Sequence, residues 1–347
     1  MTTANILSQL GSPGVVTGFK NKLINGNFDI WQRGTTNTIT NSGYTVADRW
    51  QYITDGTLGT GTVFTQQAFT VGQTAVPNNP TYYLQLVCTS VSTPNNYIRQ
   101  RIENVSTLSG QLATGSFWVR TTSGTATVSA QFQQEFGSGG SPSAGVYGIG
   151  SASFTATTTW QQFSITTVIP SIAGKTLGTN NDSALNFGIY FPAGGASGTY
   201  QVAQCQVEAG GVVTNYDIRP LAVELPMCQR YYESSYPAGY APGYNFGEQY
   251  PFGSSQPACL NFVASDDTVT SGTAYFKVKK RASPTTVIYS PNNGSTNYTW
   301  TYRYSGSGNV AVTVPISQPS LVTFTQSLSA VDRANESYFL FVADAEL

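Results

Sequence analysis

Alternating apolar and polar positions dominate the chain from residue 21 to residue 219. The clearest run places Leu185, Phe187, Ile189 and Phe191 at a spacing of two, which is the period of a β-strand. Shorter runs with the same period include Leu84 to Cys88, and segments rich in Gly, Pro and Ser separate them. Many short antiparallel strands over about 200 residues predict an all-β sandwich, of which the jelly roll is the natural form.

The period changes at Pro220. Leu221, Leu225 and Cys228 recur at helical spacing, and Pro226 suits the first position of a helix. We therefore expect a short helix over residues 226–234, followed by an irregular stretch rich in Tyr, Pro and Gly. Residues 220–253 form a helical joint in this interpretation.

Strand-like alternation returns in a smaller C-terminal β-sandwich domain, residues 254–347. Ala274, Phe276 and Val278 share one face of a predicted strand, and residues 337–343 predict the last strand. The predicted layout is an N-terminal arm (1–20), a jelly-roll β-sandwich (21–219), the joint and this domain. A domain of under about 100 residues has a small core, so we expect it to bury apolar surface in a homotrimer. The arm is expected to become ordered against another protein, with a frayed terminus as the alternative.

The composition favours a protein of a permanent assembly. Charged residues make up 10% of the chain and aromatic residues 13%, whereas about 25% charged residues is typical. A neutral polar surface suits assembly because few charges are desolvated at subunit contacts. The net charge is −1, and the short basic cluster of Lys277, Lys279, Lys280 and Arg281 reads as the outward face and end of a strand. We therefore expect no binding to nucleic acid.

The absence of histidine disfavours an enzyme, because histidine is the commonest general base and a frequent metal ligand. The four cysteines form no CxxC pair, and Cys88 and Cys205 fall on apolar strand faces, as buried thiols do. The adjacent Asp266 and Asp267 read as a surface turn rather than a catalytic pair. No apolar run approaches a membrane span. We expect no enzymatic activity, no cofactor, no bound metal and no membrane insertion.

Two aromatic segments are candidates for binding a glycan. Tyr298, Trp300 and Tyr302 fall on one face of a predicted strand, where they would stack on sugar rings beside Asn292 and Asn293. The alternative is that this stripe is part of a sandwich or trimer core, which is the ordinary role of such a pattern. The second candidate is the Tyr-rich loop with Tyr240 and Tyr244, since exposed Tyr is favoured at recognition surfaces.

Several segments resemble a known family in order along the chain. They are residues 21–34 (NKLINGNFDIWQRG), 47–50 (ADRW), 206–210 (QVEAG), 216–220 (YDIRP), 228–232 (CQRYY) and 341–347 (FVADAEL). The set is similar to bacteriophage tail-fibre and virion proteins. The resemblance implies a jelly roll like that of carbohydrate-binding modules, followed by a trimer-forming tip, and it implies no enzyme. Where related modules place an Asp for calcium, this chain has Gln204 and Gln206, so only Asp29 and Glu208 remain as oxygen ligands.

The first two of these segments have a structural interpretation of their own. Asn25 and Gly26 form a turn signal, and large apolar residues follow it. Arg33 is expected to pair with Asp29 or Asp48, and Arg49 with Glu103, which ties the first strand to the sandwich. The structural signature residues in this interpretation are Asn25, Gly26, Phe28, Asp29, Trp31, Arg33, Asp48, Arg49 and Trp50.

These observations lead to one functional hypothesis and one main alternative, with a glycan hydrolase as a third hypothesis. The hypothesis is a fibre-type bacteriophage virion protein, assembled in the host cytoplasm, which attaches to another virion protein through residues 1–20. Its distal β domain would bind a host surface glycan. The alternative is a capsid or tail decoration protein, also called a cement protein, with no role in receptor binding.

Overall fold

The computed structural model describes residues 19–39, 41–54, 62–89, 96–192, 197–246, 260–263, 269–303, 306–311, 320–329 and 336–347. Within these ranges the chain forms nineteen strands and one short helix, which confirms the all-β prediction. Residues 1–18 of the predicted arm, Cys259, and the pair Asp266 and Asp267 lie outside the described residues.

The first eleven strands form a jelly roll. They are β1 (Thr36–Thr38), β2 (Trp50–Thr54), β3 (Val63–Ala68), β4 (Tyr82–Cys88), β5 (Asn96–Glu103), β6 (Leu112–Thr121), β7 (Ala126–Glu135), β8 (Val146–Ala156), β9 (Gln161–Val168), β10 (Ala184–Tyr190) and β11 (Gly198–Ala209). One sheet has the order β1-β3-β4-β11-β6-β9, and the other has the order β2-β5-β10-β7-β8. Neighbouring strands are antiparallel, and the chain passes repeatedly from one sheet to the other, as in a jelly roll.

The two sheets of the jelly roll face each other across one hydrophobic core. The predicted inward positions are buried, among them Leu84 and Leu86 of β4. Aromatic rings bridge the sheets: the centroids of Tyr52 and Phe64 are 5.2 Å apart, and those of Phe117 and Phe187 are 6.3 Å apart. Full burial of one such side chain stabilises the fold by about 1.5–3 kcal/mol. The period-two pattern of the sequence therefore specifies the inner faces of this sandwich.

Strand β11 departs from regular alternation at a β-bulge. The register shifts between Ala203 and Gln206, and Gln204 has a positive φ of 45°. The extra residue changes which positions point inward, so Val202 and Cys205, three residues apart, both belong to the core cluster, whereas regular alternation would place Ala203 on the same face as Cys205. Period two therefore holds on each side of the bulge and fails across it.

The single helix of the described residues, α1 (Leu221–Gln229), begins five residues earlier than predicted and contains Pro226 in its interior. The amide groups of Val223 and Glu224 donate to the carbonyl oxygen of Pro220, so Pro220 starts the helix. The Glu224 carboxylate accepts hydrogen bonds from Arg219, which fixes the first turn. The amide of Asn25, 199 positions away, also donates to the Glu224 carboxylate, and this tertiary contact helps to hold the helix in place despite the interior proline.

The C-terminal domain is built around its last strand. Its strands are β12 (Tyr232–Ser234), β13 (Leu260–Val263), β14 (Val269–Tyr275), β15 (Thr285–Tyr289), β16 (Tyr298–Arg303), β17 (Gly306–Ala311), β18 (Thr323–Ser329) and β19 (Glu336–Asp344). Strand β19 pairs with β12, β13, β15 and β16, while β14 pairs with β18. A small core that includes Phe276, Ile288 and Phe341 lies between these sheets.

The basic cluster at residues 277–281 differs from the prediction at one position. Lys277 and Lys279 are exposed, but Lys280 is fully buried and forms an ion pair of 2.5 Å with the buried Glu233. Its ammonium group also donates to the carbonyl oxygen of Gln229 and lies 4.9 Å from the centre of the Phe276 ring. Strand β14 ends at Tyr275, so strand alternation no longer determines the direction of residue 280.

Ion pairs join the jelly roll to the C-terminal domain. Arg49 is buried and pairs with Glu346, whereas the sequence predicted a pair with Glu103. Glu103 instead accepts hydrogen bonds from Arg230 and Tyr231. Burial opposes ionisation of Glu103, but these bonds outweigh it and hold its pKa below the ordinary value. The partners of both residues lie more than 100 positions away, where no local pattern links them.

Candidate functional site

A loop rich in aromatic residues follows strand β12, and we call residues 236–246 the aromatic loop. Its base is Tyr236, which is 7% exposed and whose hydroxyl group accepts a hydrogen bond from the amide of Gly243. The amide of Tyr240 donates to the carbonyl of Pro237, and that of Tyr244 donates to the carbonyl of Ala241. Two consecutive turns therefore place Tyr240 and Tyr244 in a fixed arrangement above a buried anchor.

The rings of the aromatic loop pack on one another. Tyr240 and Tyr244 have centroids 4.7 Å apart, and Phe246 lies 5.2 Å from Tyr240 and 5.0 Å from Tyr244. The packing leaves Tyr240 39% exposed and Tyr244 48% exposed. These rings are held by one another, so a ligand that binds them orders few additional side chains.

The aromatic loop lies against a turn that carries Asn292 and Asn293, and we call residues 290–295 the Asn turn. The amide of Phe246 donates to the carbonyl of Pro291 at 3.1 Å. The backbones of Gly243 and Gly294 are so close that a Cβ atom at Gly294 would lie 1.9 Å from the Gly243 carbonyl oxygen. Asn293 is exposed and its side-chain oxygen accepts from the amide of Ser295. The fold therefore places four of the predicted ligand-binding residues on adjoining segments.

The other predicted ligand-binding residues lie on strand β16, which begins three residues after the Asn turn. Tyr298, Trp300 and Tyr302 occupy alternate positions of this strand, so the backbone places them on one face. Their side chains lie outside the described part of the structure, and their role in binding stays a prediction.

A groove adjoins the aromatic loop where the two domains meet, and we call it the junction groove. It has a volume of about 650 Å³ and is lined by residues that include Arg33, Tyr232, Pro242, Thr285, Tyr289 and Asp344. Tyr289 also packs against Tyr236 of the aromatic loop, with centroids 5.8 Å apart. The site residues predicted from the sequence do not include Thr285, Tyr289 or Asp344. The sequence pattern that could have identified two of them is the alternation along strand β15, which places Thr285 and Tyr289 on the same face.

Most of the structural signature residues are buried at the start of the jelly roll, and Arg33 among them also lines the junction groove. The Asn25 side chain donates to the carbonyl groups of Ile30 and Asp48 and accepts from the amide of Ile30. The Trp50 indole donates to the carbonyl of Asn25 and packs on Phe28, with ring centroids 5.1 Å apart. These contacts fix the backbone, and Asp29 and Trp31 line a cavity of about 690 Å³ together with residues of helix α1 and of the aromatic loop.

Two carboxylates of this cluster have a raised pKa. Burial raises the pKa of Asp48 to about 6, although Arg33 lies 3.9 Å away and opposes the shift. Arg33 therefore pairs with Asp48 rather than with Asp29, the other predicted partner. Burial also raises the pKa of Asp29 to about 6, and a hydrogen bond from Asn27 only partly opposes this.

The described residues contain no cluster of three or more side chains of the types that bind metal ions. Glu208, one of the two remaining calcium candidates, accepts hydrogen bonds from Gln206 and Thr214. Cys88, Cys205 and Cys228 are buried, and none of the three forms a disulfide bond. No helix among the described ranges is long and apolar enough to span a bilayer.

Comparisons with known proteins return matches among solved structures. No protein-family model matches the chain, and no curated protein sequence matches it. A family 4 carbohydrate-binding module is 14% identical with a TM-score of 0.31, covering 54% of this chain and 98% of its own. The family 22 binding module and catalytic module of a Clostridium thermocellum xylanase, complexed with xylohexaose, are 13% identical with a TM-score of 0.34, covering 56% and 30%.

A bacteriophage protein is also among these matches. The enzymatically active domain of tailspike protein 4 from bacteriophage CBA120 is 12% identical with a TM-score of 0.32, covering 55% of this chain and 21% of its own. At these identities and TM-scores, the jelly-roll assignment rests on the strand order of the chain itself. Function has to be argued from its own residues.

Proposed function

We propose that this protein is a non-enzymatic component of a bacteriophage particle that binds a host surface glycan through the aromatic loop and the Asn turn. The observation that carries the proposal is the exposed ring pair of Tyr240 and Tyr244 beside Asn292 and Asn293. The partner of residues 1–20 would be another virion protein, and the assembled form would be a homotrimer.

The chemistry of this surface suits a sugar ring. Tyr supplies a large amphipathic ring at low cost in conformational entropy, and Asn supplies adaptable hydrogen bonding. A sugar presents apolar C–H groups on one face and hydroxyl groups at its edge, so it matches a ring flanked by amides. The mutual packing of Tyr240, Tyr244 and Phe246 holds the rings in place before a ligand arrives.

The assignment to a virion is supported by the ordered family resemblance and by the charge-poor composition. The absence of histidine supports a role in binding rather than catalysis. The alternative is a decoration protein without receptor binding. Copy number separates the two: tens of copies per particle are expected for a tail fibre and hundreds for a capsid decoration protein.

The glycan-binding proposal is tested with the purified full chain on an array of bacterial surface oligosaccharides. The double variant Tyr240→Ala, Tyr244→Ala should lose binding at least about tenfold, because stacking on each exposed ring contributes directly to affinity. The matched control is Tyr275→Ala, which removes a 75% exposed ring from strand β14 outside the cluster. Equal binding by the wild type and the double variant would exclude the aromatic loop as the glycan-binding site.

Two further measurements test the remaining parts of the proposal. Deleting residues 1–20 should prevent incorporation into particles while the protein still folds and assembles, and normal incorporation would contradict the arm's role. The protein should release no reducing ends from any oligosaccharide that it binds. Release of product would show that it is a hydrolase.

A further inference from the structure

The junction groove is a pre-formed polar site rather than a gap between domains. One wall is a sheet face on which Thr285 of β15 and Tyr232 of β12 both pair with Asp344 of β19. Arg33 from the jelly roll also lines the groove, and its guanidinium group lies 3.5 Å from the centre of the Tyr232 ring. Both domains therefore hold the shape of the groove.

Asp344 is oriented for a ligand. One carboxylate oxygen accepts from the Glu346 amide at 3.0 Å, and the other accepts from Arg33 at 3.3 Å. The side chain nevertheless stays 44% exposed. Each carboxylate oxygen has a second lone pair, so Asp344 is held in one orientation and retains acceptor capacity toward the groove.

The charges of the groove disfavour an anionic ligand. Arg33 faces three carboxylates, those of Asp48, Asp344 and Glu346. Arg281, the other cation on the wall, donates to the carbonyl groups of Asn181, Ala345 and Glu346. Both cations already donate to oxygen atoms of the protein, whereas the carboxylate of Asp344 is 44% exposed and can still accept hydrogen bonds from a ligand. A carboxylate accepts hydrogen bonds from hydroxyl groups and repels anions.

The groove is continuous with the aromatic loop. Pro242 of the loop lines it, and Tyr289 lies both in the groove and against Tyr236. Its volume of about 650 Å³ falls within the roughly 300–1,000 Å³ of ligand pockets. A linear ligand that stacks on the aromatic loop would therefore extend into the groove.

We infer that the junction groove is an extension subsite for a neutral oligosaccharide, whose hydroxyl groups donate to Asp344 and bond to Thr285 while a sugar ring contacts Tyr289. This inference rests on the proposed glycan binding at the aromatic loop. It specifies the ligand as an uncharged oligosaccharide of at least two sugar units. It also adds a second set of binding residues to those of the aromatic loop and the Asn turn.

The test compares neutral trisaccharides with analogues in which one hexose is replaced by a hexuronic acid, first on an array and then by titration calorimetry. Thr285→Val and Asp344→Asn should each weaken binding of the best neutral trisaccharide about five- to tenfold, the effect of one lost hydrogen bond. The matched control is Thr286→Val, since that hydroxyl is buried on the other face of β15 without a hydrogen-bond partner. Melting temperatures of all three variants check that the fold is retained.

Each result has one meaning. One outcome separates the two proposals: trisaccharide affinity is unchanged in Thr285→Val and Asp344→Asn but is lost in the double variant Tyr240→Ala, Tyr244→Ala. It would overturn the proposed subsite in the groove and leave the proposed function supported. Preference for the acidic analogues would overturn the neutral class. An equal loss in Thr286→Val would show that the effects are structural and overturn the subsite. Failure of the wild type to bind any trisaccharide would overturn both proposals.

Discussion

Arg49 of the jelly roll and Glu346 of the C-terminal segment form an ion pair in which neither side chain is more than 5% exposed. Removing one charge leaves the other buried and uncompensated, which typically costs about 3–5 kcal/mol. We expect Glu346→Gln to lower the free energy of unfolding by about 3 kcal/mol, measured by urea denaturation. The control is Glu103→Gln, whose pair with Arg230 is more than a third exposed and should cost below about 1 kcal/mol. Similar losses of unfolding free energy in both variants would contradict the difference expected between a buried and an exposed ion pair.

The buried Lys280 provides a comparison with its exposed neighbour. Lys280→Met should destabilise the protein by about 3 kcal/mol because it leaves the carboxylate of Glu233 buried without its cation. Lys279→Met should change stability by less than about 0.5 kcal/mol, since it removes an exposed charge. Thermal denaturation of the two variants measures the difference. A double variant with Glu233→Gln should recover part of the loss, and no recovery would contradict the pairing.

Gly26 has no space for a side chain. A Cβ atom there would lie 2.1 Å from the carbonyl oxygen of Cys205, while the Gly26 carbonyl accepts a hydrogen bond of 2.8 Å from the Cys205 amide. Gly26→Ala should therefore break this hydrogen bond and lower the free energy of unfolding by at least about 2 kcal/mol. Gly43→Ala is the matched control, because the nearest atom to its added Cβ would be 3.9 Å away. Soluble yield and melting temperature report the outcome, and equal values for both variants would refute the clash.

Asp29 makes stability depend on pH. Its pKa is raised from 3.8 to about 6 in the folded protein, so the folded state holds a proton that the unfolded state has released. Stability from this group is fully present below pH 3.8 and is lost as the pH rises through about 6. We expect Asp29→Asn to stabilise the protein at pH 8 by about 1–3 kcal/mol and to have little effect at pH 3.5. Calorimetric melting at both pH values measures this, and an equal change at each would be inconsistent with the titration.

The sequence predicts the elements whose pattern is local. Alternation alone identifies the inner faces around Leu84 and Phe187, because burial on one side of a strand requires a period of two. It fails at Gln204, since the bulge depends on how β11 pairs with its neighbour β6. The local pattern also misplaces the helix. Pro226 suits a first helical turn, but in the structure it lies in the helix interior, and the helix is held by distant contacts such as that between Asn25 and Glu224.

The candidate site is predictable only in part for the same reason. Tyr240 and Tyr244 stand out in the sequence because a loop rich in Tyr, Pro and Gly predicts exposed aromatic rings, which are favoured at recognition surfaces. The groove beside them depends on residues as distant as Arg33 and Asp344, which come together only when both domains fold. No local pattern marks an ion pair that spans 311 positions.

The hydrogen bonds that hold residues 21–25 affect the order in which the chain acquires structure during synthesis. The side chain of Asn21 bonds to Cys205, and the amide of Asn25 bonds to Glu224, partners 184 and 199 residues later in the chain. The ribosome releases residues 21–25 long before either partner exists, and closing such long loops is slow. The hydrogen bond between Asn25 and Glu224 therefore forms only after helix α1 has been translated. A nascent chain stopped before that helix would contain all eleven strands of the jelly roll but lack this contact at its N-terminal segment.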